Sequence, residues 1–75
     1  MISEAIRKRI ISLCNKENIT LHQLSLRAGI AYSTLNSFMN KNKSITISTL
    51  FHICEGLDIE LKNFFDDKLF ENVMD

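Results

Sequence analysis

Residues 19–35 run Ile19-Thr20-Leu21-His22-Gln23-Leu24-Ser25-Leu26-Arg27-Ala28-Gly29-Ile30-Ala31-Tyr32-Ser33-Thr34-Leu35, two short helical segments around a glycine. Thr20 to Gln23 form a capping box: the threonine oxygen can accept the N3 amide while the glutamine side chain reaches back to the cap amide. Ile19 before the cap and Leu24 five residues on have the spacing of a hydrophobic staple, which fixes the angle at which the chain enters the helix. That helix is expected to stop at Gly29, a residue able to take the left-handed conformation that closes a helix. Two helices crossing steeply over a tight turn need a small residue at the crossing, a turn glycine, and apolar side chains pinning both to the body of the domain. Ser25 is the small residue, Gly29 the turn, and Leu24, Ala28, Ile30, Leu35 and Phe38 the pins.

The five-residue staple spacing recurs outward along the chain, with Ile30 and Leu35 flanking a start at Ala31, Ile45 and Leu50 one at Thr46, and Ile59 and Phe64 one at Glu60. Upstream, Ile6, Ile10, Leu13 and Cys14 lie at three- and four-residue intervals, the period of a helix buried on one face. The pattern predicts helices near 3–17, 21–28, 32–39, 47–55 and 61–65, with Ser3 capping the first and Gly56 closing the fourth. The tail, Asp66 to Asp75, carries Leu69, Phe70, Val73 and Met74 at helical spacing. It is expected to prolong the fifth helix, and its surplus apolar residues to serve as core, as partner site or as a dimer seam at residues 61–74. The expectation is an all-α, five-helix single domain over residues 1–75, its core within about 3–66 and its tail at 67–75. Ile6, Ile10, Leu13, Leu24, Ala28, Leu35, Phe38, Leu50, Ile53 and Leu57 should form one core.

Composition agrees with this class. Seventy-five residues suit one domain, and 45% apolar with 24% charged residues suits a folded globule. The absence of proline and the two glycines favour helices with short connections. No apolar run approaches the roughly 18 residues of a membrane span. The start, Met1-Ile2-Ser3-Glu4, lacks the apolar core of a signal peptide, so a cytoplasmic protein is expected. Cys14 and Cys54 read as buried thiols, since no ligand spacing joins them with His22 and His52 into a zinc site. No catalytic constellation, cofactor or small-molecule ligand is implied.

The formal net charge is zero, yet the charges are unevenly placed. Up to Ser44 there are seven cations and two anions; from Ile45 onward there are two cations and seven anions. Such asymmetry fits a chain with one face toward a polyanion and the other away from it. Along the third helix, at about 100° per residue, Leu35 and Phe38 point inward. Tyr32, Ser33, Asn36, Ser37 and Asn40 occupy the opposite arc, an uncharged stripe of groups that both donate and accept. Amides and hydroxyls in that arrangement suit base edges in a DNA major groove, an amide pairing most naturally with adenine. Lys41 and Lys43 follow directly as candidate phosphate contacts. The start of the second helix, at Thr20 and His22, offers amides to an anion. Arg7, Lys8, Arg9 and Arg27 are expected to add field.

Residues 19–35 resemble the core of the XRE-type, Cro- and phage-repressor-like helix-turn-helix family. The continuation Ile45-Thr46-Ile47-Ser48-Thr49-Leu50, then Gly56-Leu57-Asp58-Ile59-Glu60-Leu61 with Phe64-Phe65, resembles that family's fourth and fifth helices. The likeness covers about residues 6 to 66. It implies a lambda-repressor-like domain with the helix-turn-helix at its second and third helices, binding double-stranded DNA as a homodimeric transcriptional regulator, a repressor. The sequence departs from the family pattern at Leu21, where glutamine is common, at Ala31, where a serine cap is common, and at Ser37 and Met39, where charged residues are common. These departures shift the expected base contacts toward Tyr32, Ser33, Asn36 and Ser37. The competing expectation is a protein-interaction adaptor or antitoxin on the same scaffold.

Overall fold

Each isoleucine-led start becomes a helix. The computed structural model describes residues 2–41, 43–71 and 73. Its elements are α1 (Ile2–Glu17), α2 (Leu21–Ala28), α3 (Tyr32–Asn40), α4 (Ile47–Gly56) and α5 (Leu61–Phe64), followed by a 3₁₀ turn at Lys68–Phe70. Among the described residues there is no strand. Among the same residues no helix is long and apolar enough to cross a membrane. The capping box forms at α2: Gln23 N donates to Thr20 Oγ1 at 3.0 Å and Thr20 N to Gln23 Oε1 at 2.8 Å. Thr46 caps α4 in the same way, accepting from Thr49 N at 3.0 Å.

The isoleucines also close the preceding helices. Asn18, Gly29 and Asp58 all have positive φ, at 56°, 69° and 54°. The residue after each is an isoleucine whose amide reaches back to a carbonyl of the last turn: Ile19 to Cys14, Ile30 to Ser25 and Ile59 to Cys54, at 3.0 to 3.1 Å. This is the Schellman closure, a left-handed residue followed by an apolar one that satisfies an orphan carbonyl and packs down. Ile19, Ile30 and Ile59 therefore end one helix and staple the next, and all three rest half-buried against the core.

Three expectations need correction. Gly56 does not close α4: it is the helix's last residue, and the left-handed position falls to Asp58. Gly56 is instead a contact point, since a Cβ there would lie 2.9 Å from the Ala28 amide nitrogen and 3.1 Å from its Cα. Ser3 does not cap α1, because the helix's apolar face extends to Ile2, which packs on the core, and leaves Ser3 inside the first turn. Nor does the tail prolong α5. Arg9 takes its terminal carbonyls instead, Nε donating to Phe64 O at 2.7 Å and Nη2 to Asn63 O at 2.9 Å, while Nη1 pairs with Asp67 at 3.1 Å. The chain turns there and returns Phe70 onto Phe64 and Phe65, with ring centroids 4.8 to 5.9 Å apart. Asn72, Met74 and Asp75 of the expected tail lie outside the described residues.

All ten expected core residues are buried, joined by Ala5, Cys14, Cys54 and Phe64. Burying a side chain such as Leu24 or Ile53 contributes about 1.5–3 kcal/mol. The 3₁₀ turn packs on α1 and α4 packs on α2, which leaves one face of α3 open.

Candidate nucleic-acid interface

Ser25 sits where α2 meets the turn and is the one buried polar residue among the described residues, 2% exposed. Its hydroxyl donates to His22 O at 2.6 Å, so the small side chain is satisfied within its own helix. Gly29, at φ 69° and ψ 31°, turns the chain, and Leu35 and Phe38 anchor α3 in the core. At the open end of the turn, the rings of His22 and Tyr32 meet edge to face with centroids 5.0 Å apart. This contact ties the first turn of α2 to the first turn of α3, two of the places where a DNA contact was expected.

The stripe on α3 is largely as the periodicity implies. Tyr32, Ser33 and Asn40 are exposed; Asn36 and Ser37 are half-buried. Asn36 and Asn40, one turn apart, are joined through their side-chain amides, Asn40 Nδ2 donating to Asn36 Oδ1 and also to Asn36 O at 3.2 Å. The bond leaves the Asn36 amide nitrogen and the Asn40 amide oxygen without a partner among the described residues, a donor and an acceptor one turn apart. Ala31 provides no side-chain acceptor at the start of α3. Thr20 is exposed, its hydroxyl engaged in the capping box, and His22 is exposed beside Tyr32.

The cations divide into those held and those open. Lys8 pairs with Glu4 at 3.2 Å and Arg9 with Asp67. Arg7 is turned onto the end of α3, Nε donating to Phe38 O at 2.7 Å. Lys16, Arg27, Lys41 and Lys43 are exposed and form no ion pair among the described residues. Lys43 borders an open groove of about 340 Å³ between α3 and the start of α4, with Ser33, Ser37, Ser44 and Thr46 also in its wall. Sequence reasoning had placed Thr46 only as a helix start. Its position on this groove, and that of Ser44, follow from where the loop after α3 enters α4, which packs on α2.

Elsewhere the chain offers little reactive chemistry. Cys14 and Cys54 are buried free thiols whose pKa is pushed above the ordinary value by burial. Among the described residues no three His, Cys, Asp or Glu side chains gather as metal ligands.

No curated protein and no solved structure matched this chain. A family model did, that of the Cro/C1-type HTH DNA-binding domain, over residues 9–68. That span runs from the middle of α1 to the first residue of the 3₁₀ turn and takes in α2, α3, the turn glycine between them and the polar stripe. The chain belongs to the Cro/C1-type HTH DNA-binding domain family.

Proposed function

We propose that the chain is a sequence-specific transcriptional regulator, a repressor, that lays α3 in the major groove of double-stranded DNA. The observation that carries this reading is the uncharged donor-and-acceptor stripe on α3, continued by two exposed and unpaired lysines. An ordinary solvated helix face would carry paired acids and bases. Tyr32, Ser33, Asn36 and Ser37 face the bases in this reading, with Asn40 bracing Asn36. Lys41 and Lys43 neutralise phosphates, and the amides at the start of α2, near Thr20 and His22, receive another.

One short reading helix spans few base pairs, so a homodimer on half-sites about 34 Å apart is part of the proposal. The rings of Phe64, Phe65 and Phe70 are spent on one another, so the tail supplies less free apolar surface to a seam than its composition suggested. Beside Ile11 on α1 and Leu26 on α2, exposed at 46% and 72%, two exposed apolar side chains lie one turn apart on α4, Ile47 at 70% and Phe51 at 51%. They favour a seam that includes α4, and they are also the observation behind a second reading, a partner-binding adaptor. Selection of bound duplexes from a random library, followed by mobility shifts at rising salt, tests the choice. A DNA reader enriches a defined sequence and weakens steeply with salt. Absence of any salt-dependent shift overturns the proposal in favour of the adaptor.

A further inference from the structure

Helices α1, α2 and α4 each close with a left-handed residue and an isoleucine amide reaching back. At the end of α3, Lys41 has φ −117° and ψ 14°, its amide donates to Ser37 O, and the last turn carries no basic residue. Phe38 O is one of the last four carbonyls of α3, the groups that a helix leaves for donors from outside. It is taken from across the domain by Arg7 Nε at 2.7 Å, and the same guanidinium lies over the Phe38 ring with its carbon 4.8 Å from the centroid. Arg7 Nη2 also reaches Lys43 O at 3.4 Å, on the loop that carries the candidate phosphate contacts.

We infer that Arg7 is a positioning residue for DNA recognition: a remote C-cap that holds the end of α3 and the following lysine loop, without itself touching phosphate. Three physical effects act together. A cation at a helix C-terminus opposes the helix dipole. A charged donor makes a stronger bond to a carbonyl than a neutral one. The guanidinium plane packs on the aromatic face of Phe38, one of the two anchors of α3. Arg9 does the same for α5, and α1 thus serves as a bracket for two helix ends. The inference about Arg7 rests on the proposed reading of α3.

The test exploits an isostery. The side-chain nitrogen of glutamine stands as far from the backbone as Arg Nε, so Arg7→Gln keeps a donor facing Phe38 O while removing the charge. Arg7→Ala removes both. Binding is titrated on matched and scrambled duplexes at several salt concentrations, and amide exchange at Lys41 is followed in the free protein. A positioning role predicts about tenfold weaker binding of Arg7→Ala to the matched duplex, with less than about twofold change on the scrambled one and an unchanged salt slope. It predicts recovery by Arg7→Gln of most of the loss, and exchange at Lys41 that is faster in Arg7→Ala than in Arg7→Gln. A salt slope lowered by about one unit in both variants would mark Arg7 as a phosphate contact and overturn the inference. Wild-type binding by Arg7→Ala would overturn it equally. If Arg7→Ala does not fold, Arg7→Gln alone decides: a wild-type slope and affinity support the inference, and a lost slope unit refutes it. If the wild-type protein binds no duplex, the functional reading fails separately, and Lys41 exchange still tests the clamp.

Discussion

Replacing Gly56 by alanine sets two physical effects of opposite sign against each other. Gly56 is helical, so helix propensity alone makes alanine more stable by about 1 kcal/mol. The packing says otherwise. The added methyl would lie 2.9 Å from the Ala28 amide nitrogen, 3.1 Å from its Cα and 3.2 Å from its Cβ. Two of these atoms are backbone in the last turn of α2, so no side-chain rotation relieves the contact, and α4 must move away from α2. Overpacking of this kind costs about 1–3 kcal/mol, and the close approach places Gly56→Ala in the upper part of that range. The expected net change is a loss of about 1–2 kcal/mol, or roughly 5–15 °C in melting temperature for a domain of this size. Thermal and urea unfolding followed by circular dichroism measure it directly. Gly29→Ala is the companion: nothing lies within 4 Å of its Cβ, so its cost is that of the positive φ alone, about 1 kcal/mol, and Gly29→Asn should recover part of it. A melting temperature for Gly56→Ala that rises by about 4–8 °C, as propensity alone demands, would refute the argument that α2 and α4 meet at this glycine.

Asn36→Ala should lose about 1–3 kcal/mol on the preferred duplex and relax the choice of base at one position. Asn40→Ala should produce a smaller loss at the same position; equal losses on matched and scrambled duplexes would show the pair to be positioning contacts only. Lys41→Ala and Lys43→Ala should each weaken all duplexes alike and lower the salt slope by about one unit, read from binding isotherms over a salt series. The thiols of Cys14 and Cys54 are held above their ordinary pKa by burial, so each contributes stability that is complete below the unfolded value of about 8.5 and lost as pH rises through the folded one. Melting temperature should therefore fall with alkaline pH less steeply in a Cys14→Ala, Cys54→Ala double variant than in the parent; identical slopes would exclude the thiols as the cause.

The features legible in the sequence are those set by near neighbours. The box at Thr20 and Gln23, the cap at Thr46 and the inward pair Leu35 and Phe38 depend on contacts within one or two turns, and each forms as its spacing implies. The isoleucine starts were visible too, although their second use as helix closures was not, because it requires Asn18 and Asp58 to adopt a conformation more often given to glycine. Gly56 was misread for the converse reason: what holds it is α2, nearly thirty residues away in sequence. The same distance hid the arginines. Counted as charge, Arg7 and Arg9 add to a basic half; in the fold both guanidiniums are turned onto carbonyls of other helices, and the basic surface contracts to Lys16, Arg27, Lys41 and Lys43 with their neighbours. Asn36 and Asn40 stand four residues apart on a helix, a spacing that announces a side-chain pair.

The edge-to-face contact of Tyr32 with His22 has a spectroscopic consequence. The chain holds one tyrosine and no tryptophan, so all of its tyrosine emission arises at the junction of α2 with α3. Unlabelled protein therefore carries a local optical probe in the surface proposed to meet DNA. Tyr32 is 42% exposed, and a duplex seated on α3 would shield it from a small aqueous quencher, whereas a partner docked on the far side of α4 would leave it as accessible as before.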